Sequence, residues 1–169
     1  MRVTLHPQDL NSELLSWLCV KPILESVRGK DSTIKADAYN RLNEGQRALY
    51  IFYAFHNHSK SSILEFYWFS SYFISDLKGW PTLTNGLLFY GEESLVQICH
   101  DMKELVEFVN LQSDGSWRQA MASDLDENPE LLARVTALFD LYLPTAEQCI
   151  SHMNQYIRSN CEEFYILEN

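Results

Sequence analysis

The stretch "EFYWFSSYF" at residues 65–73 places six aromatic side chains in nine positions. Such a density fits a ligand cage, a membrane-seeking patch or the middle of a packed core, and the polar residues around it decide among the three. At about 100° per residue, Ile63, Phe66, Tyr67, Phe73, Ile74 and Leu77 fall on one broad helix face. Ser70 stands in the middle of that face, where a small side chain lets a second helix come close. Ser61, Glu65, Ser75 and Asp76 mark the opposite side. That side carries no lysine or arginine, which a helix lying on a membrane surface uses. A helix that is apolar nearly all round belongs in a core. Trp68 and Tyr72 share the polar side one turn apart, and a neighbouring segment is expected to cover them through their N–H and O–H groups. The alternative is that the two line a pocket or an interface, where both residue types are favoured.

Working outward, helix caps and helical periodicity dominate over strand alternation. "PQDLNSELLSWL" (7–18) reads as a first helix with Pro7 in its first turn, and Pro22 is expected to kink or split its continuation to Arg28. "GKDSTIK" (29–35) reads as a loop. Asn43 followed by Gln46 resembles a capping box that opens a helix through "GQRALYIFYAFHNH". Ser62 and Glu65 offer a second box ahead of the aromatic segment. "LKGWPTLTNG" (77–86), with two glycines and a proline, reads as a loop. A helix follows from about Glu92 to Leu111, then a turn and a short helix near Ser116. Asn128 as N-cap and Pro129 at the first helical position give a strong start signal. Pro144 is expected to separate that helix from a last one opened by Thr145 and Gln148. No repeat, low-complexity tract or linker interrupts the pattern. The fold class predicted is all-α: one domain, residues 1–169, a bundle of about seven to nine helices around a central aromatic helix.

The totals agree. A chain of 169 residues that is 46% apolar and 13% aromatic has the material for one packed globule and is not composed like a disordered tail. No run approaches the ~18 apolar residues that span a bilayer, and "MRVTLHPQDLNSELL" does not read as a secretory signal. Cys19, Cys99, Cys149 and Cys161 are far apart and form no CxxC pair, so they read as reduced thiols of a cytoplasmic protein.

Charge is unevenly placed. Residues 1–90 hold 8 acidic and 9 basic side chains, a balance of +1, while residues 91–169 hold 15 and 4, a balance of −11, so the formal net charge of −10 comes from the second half. This pattern argues against nucleic acid or an anionic membrane as a direct partner and is compatible with a basic protein.

Few groupings point to catalysis or metal. "HNH" at 56–58 matches a nuclease only in its letters, because on a helix His56 and His58 stand about 200° apart; a polar helix terminus is expected there. Cys149 and His152 share a helix face and, with Cys99 and His100, are a candidate zinc set. Cys99 and His100 are adjacent, however, and Cys99 lies on an apolar face. There is no GxSxG turn, no HExxH and no glycine-rich phosphate loop, so no catalytic residue and no cofactor is assigned.

The helix at 92–111 carries the sharper signal. Leu95, Ile98, Met102, Leu105, Val106 and Val109 make one face; Glu93, Gln97, His100, Asp101, Glu104 and Glu107 group opposite, with Lys103 at the edge as the local counter-charge. Glu93 to Glu107 spans roughly 21 Å at 1.5 Å per residue. Asp124, Asp126, Glu127 and Glu130 form a second acidic group at the next helix starts. Part of this is capping, since acids near a helix N-terminus meet the positive end of the dipole.

Three segments, "LNEGQRALYIFYAF" (42–55), "EFYWFSSYF" (65–73) and "GLLFYGEESLVQICHDM" (86–102), together resemble the bacterial DNA-mimic-like domain of unknown function. The likeness covers roughly residues 40–110. It implies an all-helical acidic protein, and one type in that family is thought to occupy the DNA-binding surface of a transcription regulator in place of DNA. This chain departs from the family pattern before the aromatic helix: "HNHSKSSILE" (56–65) stands where an acidic residue and an Asn–Gly–Gly turn are expected. The function expected is a non-enzymatic acidic interaction module whose carboxylates, led by Glu93, Asp101, Glu104 and Glu107, meet a basic partner protein. A toxin-neutralising immunity protein would show the same charges. The rivals are a small helical metal-binding protein or enzyme built on His100, Cys149 and His152, and a ligand pocket around Trp68 and Tyr72.

Overall fold

The computed structural model describes residues 2–168. Strand β1 (Val3–Leu5) is followed by a 3-10 turn (Pro7–Asn11) and then α1 (Leu15–Val27), α2 (Ser32–Asn40), α3 (Glu44–Ser59), α4 (Ile63–Ser75) and α5 (Trp80–Phe89). Next come α6 (Glu93–Asn110), α7 (Ala122–Glu127), α8 (Pro129–Ser159), α9 (Cys161–Phe164) and β2 (Tyr165–Leu167). The fold is an all-α multi-helix bundle with nine α-helices among the described residues. The two strands pair in parallel, Val3 opposite Tyr165 and Leu5 opposite Leu167, and tie the two ends of the described chain together. None of the helices is long and apolar enough to cross a membrane, among the described residues.

The aromatic helix α4 is in the core, as expected. Phe66, Tyr67, Phe69, Ser70, Ser71 and Phe73 are buried. The hub is Phe55 of α3, whose ring meets Phe66, Phe69, Phe73, Trp80 of α5 and Tyr142 of α8 with centroids between 5.2 and 6.5 Å apart. Edge-to-face and tilted pairs of this kind add to plain area burial. One contiguous core runs from Val3 to Tyr165.

Three of the expected caps hold, at Asn43, Ser62 and Asn128, although Glu65 does not complete a reciprocal box with Ser62. Asn43 and Gln46 form a reciprocal capping box. The Ser62 hydroxyl accepts from the Glu65 N–H, and the Asn128 side chain accepts from the Leu131 N–H.

Several segments differ from expectation. The first helix begins only at Leu15, after the 3-10 turn, and runs unbroken past Pro22. Residues 32–35 are not loop, because Asp31 caps α2 by accepting from the Ile34 N–H, and Arg47 donates to the carbonyls of Tyr39 and Asn40 at its other end. The expected loop at 77–86 is mostly α5. Pro81 stands in its first turn, where a missing N–H costs no helical bond. Gly86 is a packing residue, not a break: a Cβ there would lie 3.1 Å from the Ala48 Cα on α3. The short helix is displaced from Ser116 to Ala122–Glu127, and a Leu111–Trp117 bridge closes a turn in its place. Pro144 does not divide α8. Leu131, Val135, Tyr142, Ala146, Cys149, Met153 and Ile157 keep one buried stripe through it. At ~1.5–3 kcal/mol per large apolar side chain buried, that stripe outweighs the ~3 kcal/mol cost of one interior proline. Thr145 is no cap; its hydroxyl donates to the Leu141 carbonyl.

Candidate functional site

Helix α6 is positioned by its apolar face. Leu95, Ile98, Cys99, Met102, Leu105 and Val106 are buried, and Val109 is half-buried. Its start is pinned by Glu92, which is buried at the N-cap position with Oε1 2.8 Å from His152 Nδ1 on α8. At its other end the buried Asn110 donates to the Tyr67 hydroxyl, 3.3 Å away, on α4. The opposite face is therefore held outward, with Glu93, Gln97, His100 and Glu104 exposed.

Most charges on that face lack a permanent cation. Lys103 Nζ lies 3.5 Å from Glu107 Oε1, and His100 Nδ1 lies 3.7 Å from Glu104 Oε1. The Gln97 amide donates to Asp101 at 2.8 Å. Among the described residues, no lysine or arginine from the first 90 positions comes within ion-pair distance of Glu93, Asp101, Glu104 or Glu107. The other cations of the second half are no nearer to pairing with them. Arg118 is spent on Asp124, Arg158 donates to the carbonyls of Leu10 and Ser12, and Arg134 makes no ion pair with those acids among the described residues.

The second acidic group is divided. Asp126, Glu127 and Glu130 are exposed and unpaired among the described residues. Asp124 faces inward. It takes two bonds from the Arg118 guanidinium at 2.8 and 3.1 Å, one from the Tyr67 hydroxyl at 3.0 Å and one from the Met121 N–H at 2.9 Å. Burial alone would raise its carboxyl, but these donors outweigh burial and hold it below the ordinary carboxylate range. Asp124 is thus a clamp of α7 onto α4, and it is not available to a partner.

Phe108 is the residue that the sequence reading passed over. It is 83% exposed, and it stands four residues beyond Glu104 and seven beyond Asp101, on the same stripe of α6. Its helical spacing was the signal available: the apolar side of the helix wheel does not include position 108.

The metal candidates do not converge. The Cys99 and Cys149 thiols are buried, and burial pushes Cys99 up to about 12 and raises Cys149 as well. His152 is committed to Glu92. Among the described residues, the one set of three ligand atoms lying within 4.8 Å of one another is His100, Asp101 and Glu104, on the outer face of α6. The "HNH" segment is not a polar terminus throughout. His56 is buried against Phe52 with Nδ1 2.9 Å from the Tyr142 hydroxyl, and His58 stacks on Phe69 with centroids 4.2 Å apart.

Trp68 is not covered as expected. It is 42% exposed and stacks nearly parallel on Tyr72, with centroids 5.5 Å apart. A shallow groove of about 250 Å³ runs beside it, lined by Leu64, Glu65, Trp68 and Ala122. Tyr72 backs Trp68 and does not line the groove.

Comparison with protein-family models, with curated proteins and with solved structures gave no match.

Proposed function

We propose that this is a non-enzymatic, cytoplasmic interaction protein that uses the outer face of α6 to occupy the basic surface of a partner protein, a DNA-binding regulator. The observation that carries the reading is the stripe Glu93, Asp101, Glu104 and Phe108. Its carboxylates are supported from behind by a buried face, lack lysine or arginine partners, and end at a fully presented aromatic side chain. Carboxylates alone would serve solubility. An exposed phenylalanine in line with them is what a binding surface adds, because aromatic anchors supply most of the energy at protein interfaces. The acids bring a cationic partner quickly and make binding salt-sensitive. Helical turns of ~5.4 Å place carboxylates at intervals broadly similar to phosphates along a DNA strand. The resemblance of residues 40–110 to the DNA-mimic-like domain agrees with this reading.

The experiment is affinity capture at low and high salt, repeated with Glu104→Lys/Glu107→Lys and with Phe108→Ala. Capture should weaken about tenfold or more for the double reversal, and Phe108→Ala should cost at least 1 kcal/mol. Capture indifferent to both variants would remove α6 as the binding face. Identification of the eluted protein separates a transcription regulator from a toxin.

A further inference from the structure

We propose that the groove between α4 and α7 receives an arginine side chain of the basic partner; this rests on the reading of the protein as an acidic interaction module. Three observations fit that occupant. The first is Trp68, which α4 carries outward. Tyr72 takes one face of its ring in a stack only 5° from parallel, so the indole is held in place while the groove opens on the side of Leu64. A held tryptophan loses little freedom on binding, and among aromatic residues it attracts a cation most strongly.

The second is Glu65, which lines the same groove and has no ion pair among the described residues. Asp126 and Glu127, exposed on α7, are likewise unpaired. The groove is apolar along Leu64 and Ala122 and carries one carboxylate, that of Glu65. An apolar floor suits the methylene stem of a long cationic side chain, and the carboxylate suits its head. Arginine fits better than lysine, because its planar guanidinium both stacks on the indole and pairs bidentately with a carboxylate.

The third is that the groove is built before any partner arrives. The Asp124 clamp, held by Arg118, Tyr67 and the Met121 N–H, fixes α7 beside α4.

The test uses the full chain and two end-blocked hexapeptides, one alternating arginine with glycine and one alternating lysine with glycine. Binding is followed by calorimetry for the parent, Trp68→Ala, Glu65→Gln and Glu104→Lys/Glu107→Lys, with circular dichroism showing that each variant is folded. The arginine peptide should bind more tightly than the lysine peptide. Trp68→Ala should weaken the arginine peptide about 3- to 30-fold and erase the preference, and Glu65→Gln should weaken it less. If Trp68→Ala and Glu65→Gln leave the arginine peptide unchanged while the double reversal weakens it, the groove proposal is overturned and the acidic α6 face stands. If Trp68→Ala weakens it and the double reversal does not, the groove stands on its own, and the α6 face is decided by the partner capture alone. Equal affinities of the two peptides in the parent overturn the arginine assignment. A dimer in sedimentation that Trp68→Ala converts to monomer makes a second copy the occupant and overturns it too.

Discussion

His56 and Asp124 show what a single side chain's surroundings do to it. Burial beside Phe52, with Lys60 as a lesser influence, lowers the His56 imidazole to about 4 from its ordinary value near 6.5. The folded state then refuses a proton that the unfolded chain accepts. Stability from this group is complete above about pH 6.5 and is lost as pH falls toward 4. Chemical denaturation across that window should show stability falling by up to about 3 kcal/mol, and His56→Phe should flatten the profile; an unchanged profile would assign the acid sensitivity elsewhere. Asp124 shifts in the same direction as His56, but bound donors and not burial hold it low, and its window lies at lower pH. Its folded carboxyl is held low, so its contribution is present above the unfolded value and disappears as pH falls through the folded one. Asp124→Asn should cost about 1–3 kcal/mol at neutral pH, measured by urea unfolding, and should loosen α7 against α4. The sequence made the caps at Asn43, Ser62 and Asn128 legible because each acts within three residues. It did not make Asp124's role legible, since Tyr67 lies 57 positions away, nor Glu92's, since His152 lies 60 away.

At the scale of elements, periodicity served well and punctuation misled. The buried face of α6 and its polar opposite were readable from spacing alone, because packing and solvent impose the same 3.6-residue period on the side chains. Proline and glycine were read as breaks at Pro22, in 77–86 and at Pro144, yet tertiary packing overrides each of them. Gly86 makes the point testable. In an exposed helix, glycine to alanine gains about 1 kcal/mol. Here the new methyl would lie 3.1 Å from the Ala48 Cα and 3.2 Å from Ile51 Cγ2. Gly86→Ala should therefore lower the melting temperature by forcing α5 away from α3, and a rise would show that the two helices can part at little cost. Trp68 shows the limit of periodicity: it lies on the polar side of α4, and the stack on Tyr72 leaves its indole 42% exposed at the surface instead of covered.

For the whole molecule, the division of charge sets the behaviour. The first 90 residues balance, and the remaining 79 carry the whole excess of negative charge. Folding does not cancel this by bringing basic groups from the first half onto α6, so the asymmetry of the sequence becomes an asymmetry of the surface. What no local pattern foretold is the closure of the fold: β1 and β2, at opposite ends of the described chain, meet as a parallel pair that only the three-dimensional arrangement brings together. The most direct measurement of the central claim is the salt dependence of affinity for the captured partner, taken for the parent and for Glu104→Lys/Glu107→Lys. A steep fall of affinity with rising salt in the parent, markedly shallower in the variant, is the predicted result. Identical slopes for the two proteins would contradict it.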